Sequence, residues 1–82
     1  MVKVLFFAQL REQLGCEKIL VEAHTAITVS QLRELIVSQH PEWSIFLNNH
    51  KLLFAVNQTL VKATHTIANG DEVAFFPPVT GG

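Results

Sequence analysis

The residues whose type and position could do chemistry are the last two, Gly81-Gly82. A backbone carboxylate is a poor electrophile, but ATP can convert it to an acyl-adenylate with a good leaving group. A thiol, an amine or a sulfide can then attack the carbonyl. Substitution by sulfur gives a thiocarboxylate, a nucleophile able to hand sulfur to an electrophilic substrate. Glycine suits such an end because it is thin and tolerates backbone angles that side chains forbid, so a narrow channel can grip it by its backbone. Pro77-Pro78 hold the preceding stretch in a stiff polyproline-like form, and from Pro77 to Gly82 the extended chain reaches roughly 20 Å. The plain alternative is a frayed terminus that happens to end in glycine. At about 7% glycine usage, two terminal glycines arise in roughly 0.5% of chains, so the dipeptide alone decides little and its setting must be read.

The other reactive residue types do not assemble into a site. Cys16 follows Gly15 in a turn, without a His or Asp at a telling spacing, and reads as a packed or incidental thiol. His24, His40, His50 and His65 lie far apart in loop-like segments without metal-ligand spacing, and read as surface histidines. Arg11 and Glu12 read as a helix-surface ion pair. No paired carboxylates, glycine-rich phosphate loop or hydrolase triad is present. So small a chain offers no nucleotide pocket. Any adenylation must therefore be done by an activating enzyme that uses the ATP, while this chain binds no cofactor or metal and brings no catalytic machinery of its own.

Bulk properties narrow the partners. The chain has 82 residues, 49% hydrophobic and only 16% charged, with a formal net charge of −1. That is one domain with apolar residues to spare, and some can sit on the surface where a partner covers them. A nucleic-acid binder of this size carries a basic patch. Here Lys3, Arg11, Lys18, Arg33, Lys51 and Lys62 are scattered singly. The apolar runs are too short to span a bilayer, the N-terminus is strand-like rather than signal-like, and one cysteine cannot build a disulfide framework. These readings exclude nucleic acid and membrane as partners and place the chain in the cytoplasm.

The elements that must position the tail follow from local pattern. Val2–Phe7 is β-branched and aromatic and reads as a buried strand. Ala8–Leu14 holds helix formers, stopped by Gly15 as a C-cap. Glu17–Glu22 reads as a second strand beside the first. Thr28-Val29-Ser30-Gln31 is a capping-box pattern that opens a helix ending near His40-Pro41. Its Val29, Leu32, Leu35 and Ile36 form an apolar stripe, with Gln31, Arg33 and Glu34 on the wet side. Glu42–Leu47 reads as a short helix closed by Asn48-Asn49. Leu52–Val56 is a third strand, turned by Asn57-Gln58 into Thr59-Leu60-Val61, and Asn69-Gly70-Asp71 is a further turn. Glu72–Phe76 is the last strand, ended by prolines that cannot donate to a sheet ladder. One amphipathic helix over a small mixed sheet, with first and last strands both central, is an α+β plan of the β-grasp kind. The domain spans residues 1–76, with 77–82 as a flexible tail.

Alternation then sorts the faces. With Lys3 in water, Val2, Val4 and Phe6 face the helix, and Leu5 and Phe7 face away. With Glu72 in water, Val73 and Phe75 go inward, and Ala74 and Phe76 outward. Phe7 and Phe76 thus share the face without the helix, at the end nearest the tail, and Leu60 extends the patch. Core packing against the hairpin explains one such aromatic; two on adjacent strands point to a partner-binding surface.

Three stretches carry a resemblance that covers nearly the whole chain: Val4-Leu5-Phe6-Phe7-Ala8 with Leu10-Arg11-Glu12, Ala55-Val56-Asn57 with Leu60-Val61, and Gly70 through Val79 into Gly81-Gly82. The sequence resembles the small, MoaD-type subunits of molybdopterin synthase, which are ubiquitin-like sulfur carriers. The resemblance implies that an E1-like (MoeB-type) enzyme adenylates Gly82 and a persulfide-derived sulfur converts it to a thiocarboxylate. It further implies that Gly81 is the slender neck and that Pro77, Pro78, Val79 and Thr80 thread, with it, into the large (MoaE-type) subunit. There sulfur passes to cyclic pyranopterin monophosphate to build molybdopterin, in a heterotetramer of two small subunits on a dimer of large ones. Phe7, Leu60 and Phe76 would dock on the large subunit and in turn on the activating enzyme. Two alternatives stay open: a thiamin-pathway (ThiS-type) sulfur carrier with the same fold and activation, and a ubiquitin-like modifier or binding module.

Overall fold

A computed structural model describes residues 1–78. Its order is β1 (Val2–Phe6), α1 (Ala8–Leu14), β2 (Lys18–Val21), β3 (Ile27–Thr28), α2 (Val29–Gln39), a 3-10 turn (Pro41–Trp43), α3 (Ser44–Leu47), β4 (Leu53–Val56), β5 (Thr59–Val61), β6 (Thr66–Ile67) and β7 (Glu72–Phe76). Five strands form one sheet in the order β2-β1-β7-β4-β5, and β3 pairs with β6 in a separate two-stranded piece. The first and last strands lie side by side and parallel, with Val4 opposite Val73 and Phe6 opposite Phe75. The remaining pairings of the main sheet are antiparallel. This is the α+β, β-grasp architecture expected.

The core lies between this sheet and the helices. From β1 and β7, Val2, Val4, Phe6, Val73 and Phe75 are fully buried, and α2 adds Val29, Leu32 and Ile36. Phe75 makes edge-to-face contacts with Phe6 (centroids 6.0 Å apart) and Phe54 (5.3 Å), and Phe6 meets Trp43 at 5.6 Å. These offset geometries are the ones aromatic rings prefer. The α2 capping box is formed: the Gln31 amide donates to Thr28 Oγ1 at 3.1 Å, and the Thr28 amide to Gln31 Oε1 at 2.8 Å. Two more first-turn amides, of Val29 and Ser30, donate to the carbonyls of His65 and Ala63, so the helix start is tied to the loop before β6.

Several expectations shift. The first strand ends one residue early, because Phe7 becomes the N-cap of α1: its amide still reaches the Phe75 carbonyl, but its own carbonyl turns to the Arg11 amide. The second strand is trimmed to Lys18–Val21, and β4 starts at Leu53 because the Leu52 amide turns back to the Asn49 carbonyl. The Glu42–Leu47 helix splits, since Pro41 starts a tighter turn before α3. Arg33 is not on the wet side: it is half-buried, its guanidinium carbon 5.8 Å from the centre of the Phe54 ring. No Arg11–Glu12 pair forms among the described residues, where Lys3 pairs with Glu72 and the rings of His24 and His40 lie near Glu22 and Glu42. Consecutive helix residues point in different directions and do not face each other.

Candidate functional site

The parallel register of β1 and β7 builds the site. Lys3 lies opposite Glu72 and Leu5 opposite Ala74, so the two strands turn the same parity outward. On the far side of β7, Leu53 lies opposite Phe76 and Ala55 opposite Ala74, and Leu60 lies opposite Ala55. Leu5, Ala74, Ala55 and Leu60 therefore form one row across the sheet, with Leu53 and Phe76 in the next row. The small alanines leave the middle of the face low. Phe7 is 44% exposed and Leu60 65%, while Leu5, Leu53, Ala55, Ala74 and Phe76 are half-buried. The helices occupy the opposite face, so this one is open among the described residues.

Phe7 stays beside the ladder although β1 has ended. Its backbone is extended, its amide donates to the Phe75 carbonyl at 3.2 Å, and its carbonyl accepts from the Arg11 amide at 3.4 Å. Phe76 is the last residue of β7, and the half-buried Pro77 and exposed Pro78 follow it directly. Val79, Thr80, Gly81 and Gly82, the other residues expected to act, lie outside the described residues. The sequence reasoning missed Leu20, which is 60% exposed. It pairs with Lys3 at the opposite end of the face from Phe76. The signal was available, since alternation that puts Lys18 outward puts Leu20 there too.

Electrostatics on this face are light. Lys3 Nζ lies 3.7 Å from Glu72 Oε2 across the β1–β7 register. Just before β7, Asp71 accepts from the Ala68 amide (2.9 Å) and from the Asn57 side-chain amide (3.1 Å), and these donors hold its carboxyl below the usual range. Asn57 also accepts from the Glu72 amide at 3.0 Å. The β4–β5 turn is thereby clamped to the start of β7.

The remaining reactive residue types keep apart. Cys16 is half-buried, its thiol 3.5 Å from the Lys18 carbonyl. Of the histidines, His40 departs from the surface reading: its ring stacks on Trp43 at 4.1 Å and 14°. The other three are exposed. No group of three or more His, Cys, Asp or Glu that could hold a metal occurs among the described residues. Among them, too, no helix is long and apolar enough to cross a membrane.

A ubiquitin-like β-grasp domain with an apolar sheet face beside the strand that leads into Pro77-Pro78 is the class these features define. The chain belongs to the ThiS family, whose model matches residues 4–82. It is 54% identical, over the full length of both chains, to the molybdopterin synthase sulfur carrier subunit of Escherichia coli (strain K12). Among solved structures it is similar to SAMP1 from Haloferax volcanii, with a TM-score of 0.80 and 28% identity over 99% of this chain and 98% of that one. It also matches a chain in the complex of subunits 1 and 2 of molybdopterin-converting factor from Helicobacter pylori 26695. There the TM-score is 0.67 and the identity 26%, over 99% of this chain and 97% of that one.

Proposed function

We propose that this chain is the sulfur carrier subunit of a molybdopterin synthase, working in the cytoplasm. The observation that carries the reading is the continuity of face and tail. The open apolar face includes Phe76, and Phe76 runs directly into Pro77-Pro78. A partner that covers Phe7, Leu60 and Phe76 therefore lies beside the point where the chain leaves the sheet at Pro77-Pro78. Full-length similarity to the E. coli carrier subunit supports the choice of pathway, and the likeness to one chain of the H. pylori complex supports a large subunit as the partner.

The chemistry needs three partners. An E1-like enzyme joins the Gly82 carboxylate to the adenylyl group of ATP and releases pyrophosphate. A persulfide sulfur from a donor enzyme attacks the acyl carbon and displaces AMP, and a thiol then cleaves the resulting acyl disulfide to leave the thiocarboxylate. Docked on the large subunit, the thiocarboxylate sulfur attacks an electrophilic carbon of cyclic pyranopterin monophosphate and displaces the oxygen substituent there, so that the carrier and the pterin are joined as a thioester. Water returns the end to a carboxylate, and two such deliveries complete a dithiolene. The carrier holds no cofactor, and ATP is bound only by the activating enzyme. Two carriers cap a dimer of large subunits.

The test is intact mass after incubation with ATP, a sulfur donor and the activating enzyme, followed by turnover with the large subunit and the pterin precursor. Replacement of one oxygen by sulfur, then molybdopterin formation, is the expected result. Deleting Gly82 or adding a residue after it should abolish both. Sulfur transfer that survived either change would sink the reading. A thiocarboxylate active only with thiamin-pathway enzymes would favour the ThiS-type alternative, and attachment to lysines would favour a modifier.

A further inference from the structure

Three non-glycine residues among the described ones have positive φ: Ala8 (56°), Asn57 (49°) and Gln58 (72°). An L side chain there crowds the neighbouring carbonyl, and such residues persist only where their surroundings impose them, often at functional sites. Both strained segments flank the open face. Asn57 and Gln58 form the β4–β5 turn, where positive φ at both central residues gives strands the twist they need. Leu60, two residues on, is held regardless by its ladder position opposite Ala55. Ala8 has no such explanation. It is exposed, follows exposed Phe7 directly, and joins β1 to α1 without a loop.

Both sides of Ala8 are anchored. Phe6 is fully buried in the sheet, and Leu10 and Leu14 of α1 are buried in the core. Only a left-handed residue between them lets the chain turn at once from strand into helix while the Phe7 amide stays on the Phe75 carbonyl. The left-handed well of alanine is narrow, whereas glycine roams across positive and negative φ. We infer that Ala8 is a positioning residue: its narrow left-handed well locks the Phe7 backbone so that the ring is presented on the open face before a partner arrives. The inference rests on the docking role proposed above. It adds that part of the affinity comes from order built in beforehand rather than from Phe7's contacts alone.

A positioning role separates stability from binding in a way a merely structural residue would not. Ala8→Gly relieves the strain but frees the backbone. Its Tm should be unchanged or a few degrees higher, while affinity for the purified large subunit falls about three- to tenfold through faster dissociation. A chain with D-alanine at position 8, assembled by ligation at Gly15-Cys16, prefers positive φ without glycine's freedom. It should raise Tm and bind like the native chain. Gln58→Gly is the control, because it relieves equal strain where the ladder already fixes Leu60; its affinity should not change. If Ala8→Gly binds as tightly as the native chain while Phe7→Ala binds weakly, the docking reading stands and the inference is overturned. The inference is overturned equally if the D-alanine chain binds as weakly as Ala8→Gly. If Phe7→Ala itself leaves binding intact, the docking reading fails and takes the inference with it.

Discussion

Arg33 carries a guanidinium over the Phe54 ring, yet its Nε is buried without a hydrogen-bond partner among the described residues. A cation over an aromatic face contributes roughly 0.5–2 kcal/mol, rising with burial. A buried, unpaired donor costs about 1–3 kcal/mol. At the centre of each range the orphaned donor is the larger effect, so Arg33→Met, which keeps the stem's packing and removes the donor, should stabilise the fold by up to about 1 kcal/mol. A fall in Tm on this substitution would show that the ring contact outweighs the orphaned nitrogen. Asp71 is a different case, because each of its carboxylate oxygens accepts a hydrogen bond. The Ala68 amide and, second, the Asn57 side chain depress its pKa in the folded state. A depressed carboxyl contributes stability that is present above the unfolded pKa of about 3.9. That contribution drains away as pH falls through the lower folded value. Asp71→Asn should therefore lower Tm at neutral pH, and its deficit against the native chain should shrink on acidification from about pH 5 to below pH 3. A deficit that stayed constant across that range would assign the loss to altered hydrogen-bond geometry rather than charge.

At the scale of elements, α2 is specified twice over, by a stripe that buries Val29, Leu32 and Ile36 and by a cap whose two hydrogen bonds are both made. Thr28→Ala removes the accepting hydroxyl and should cost about 1 kcal/mol. The readout is a lower urea midpoint at unchanged slope, and Thr28→Ser should recover most of the loss. An altered slope would mean that the β3–β6 piece had opened as well. Such redundancy explains what the sequence made legible. The limits of α1, its left-handed Gly15 cap, α2 and β7 each combine a periodic run with a stop signal, and each was readable from residue types alone. Strands β3 and β6 were not, because two residues have no period to detect; their pairing is set by tertiary contact. Arg33 was misplaced because helical spacing assigns a direction to a side chain but not the length over which its stem can fold back onto Phe54. Of the site, Leu60 was placed only by its position in the hairpin, whereas the outward parity of Phe7 and Phe76 followed from Lys3 and Glu72. The left-handed Ala8 did not, since nothing in alanine's type signals positive φ.

For the whole molecule, the sheet divides labour between its faces, and the division can be measured. Phe75 on the inner face meets two other aromatics, and Phe75→Ala should cost about 3–5 kcal/mol. That is a large share of the roughly 5–15 kcal/mol available to any small domain, so the variant's Tm should fall by roughly 12 °C or more. On the outer face, truncating an exposed side chain removes little packing. Phe7→Ala and Leu60→Ala should each change stability by no more than about 0.5 kcal/mol. Binding should respond in the opposite order. An aromatic anchor at the centre of an interface is worth roughly 2 kcal/mol or more, a loss of about 30-fold in affinity for the large subunit. Leu20 supplies the internal scale, because it is as exposed as Leu60 but sits opposite Lys3 at the start of β1, about 13 Å along the strand from Phe7. If the partner must also receive the segment that follows Phe76, contact is needed at the Phe7–Phe76 end and not at the Leu20 end. Titration calorimetry should then rank the losses at Phe7 and Leu60 well above the loss at Leu20. Equal losses at all three would mean that the partner covers the face uniformly, so that the direction of the tail does not decide how it docks.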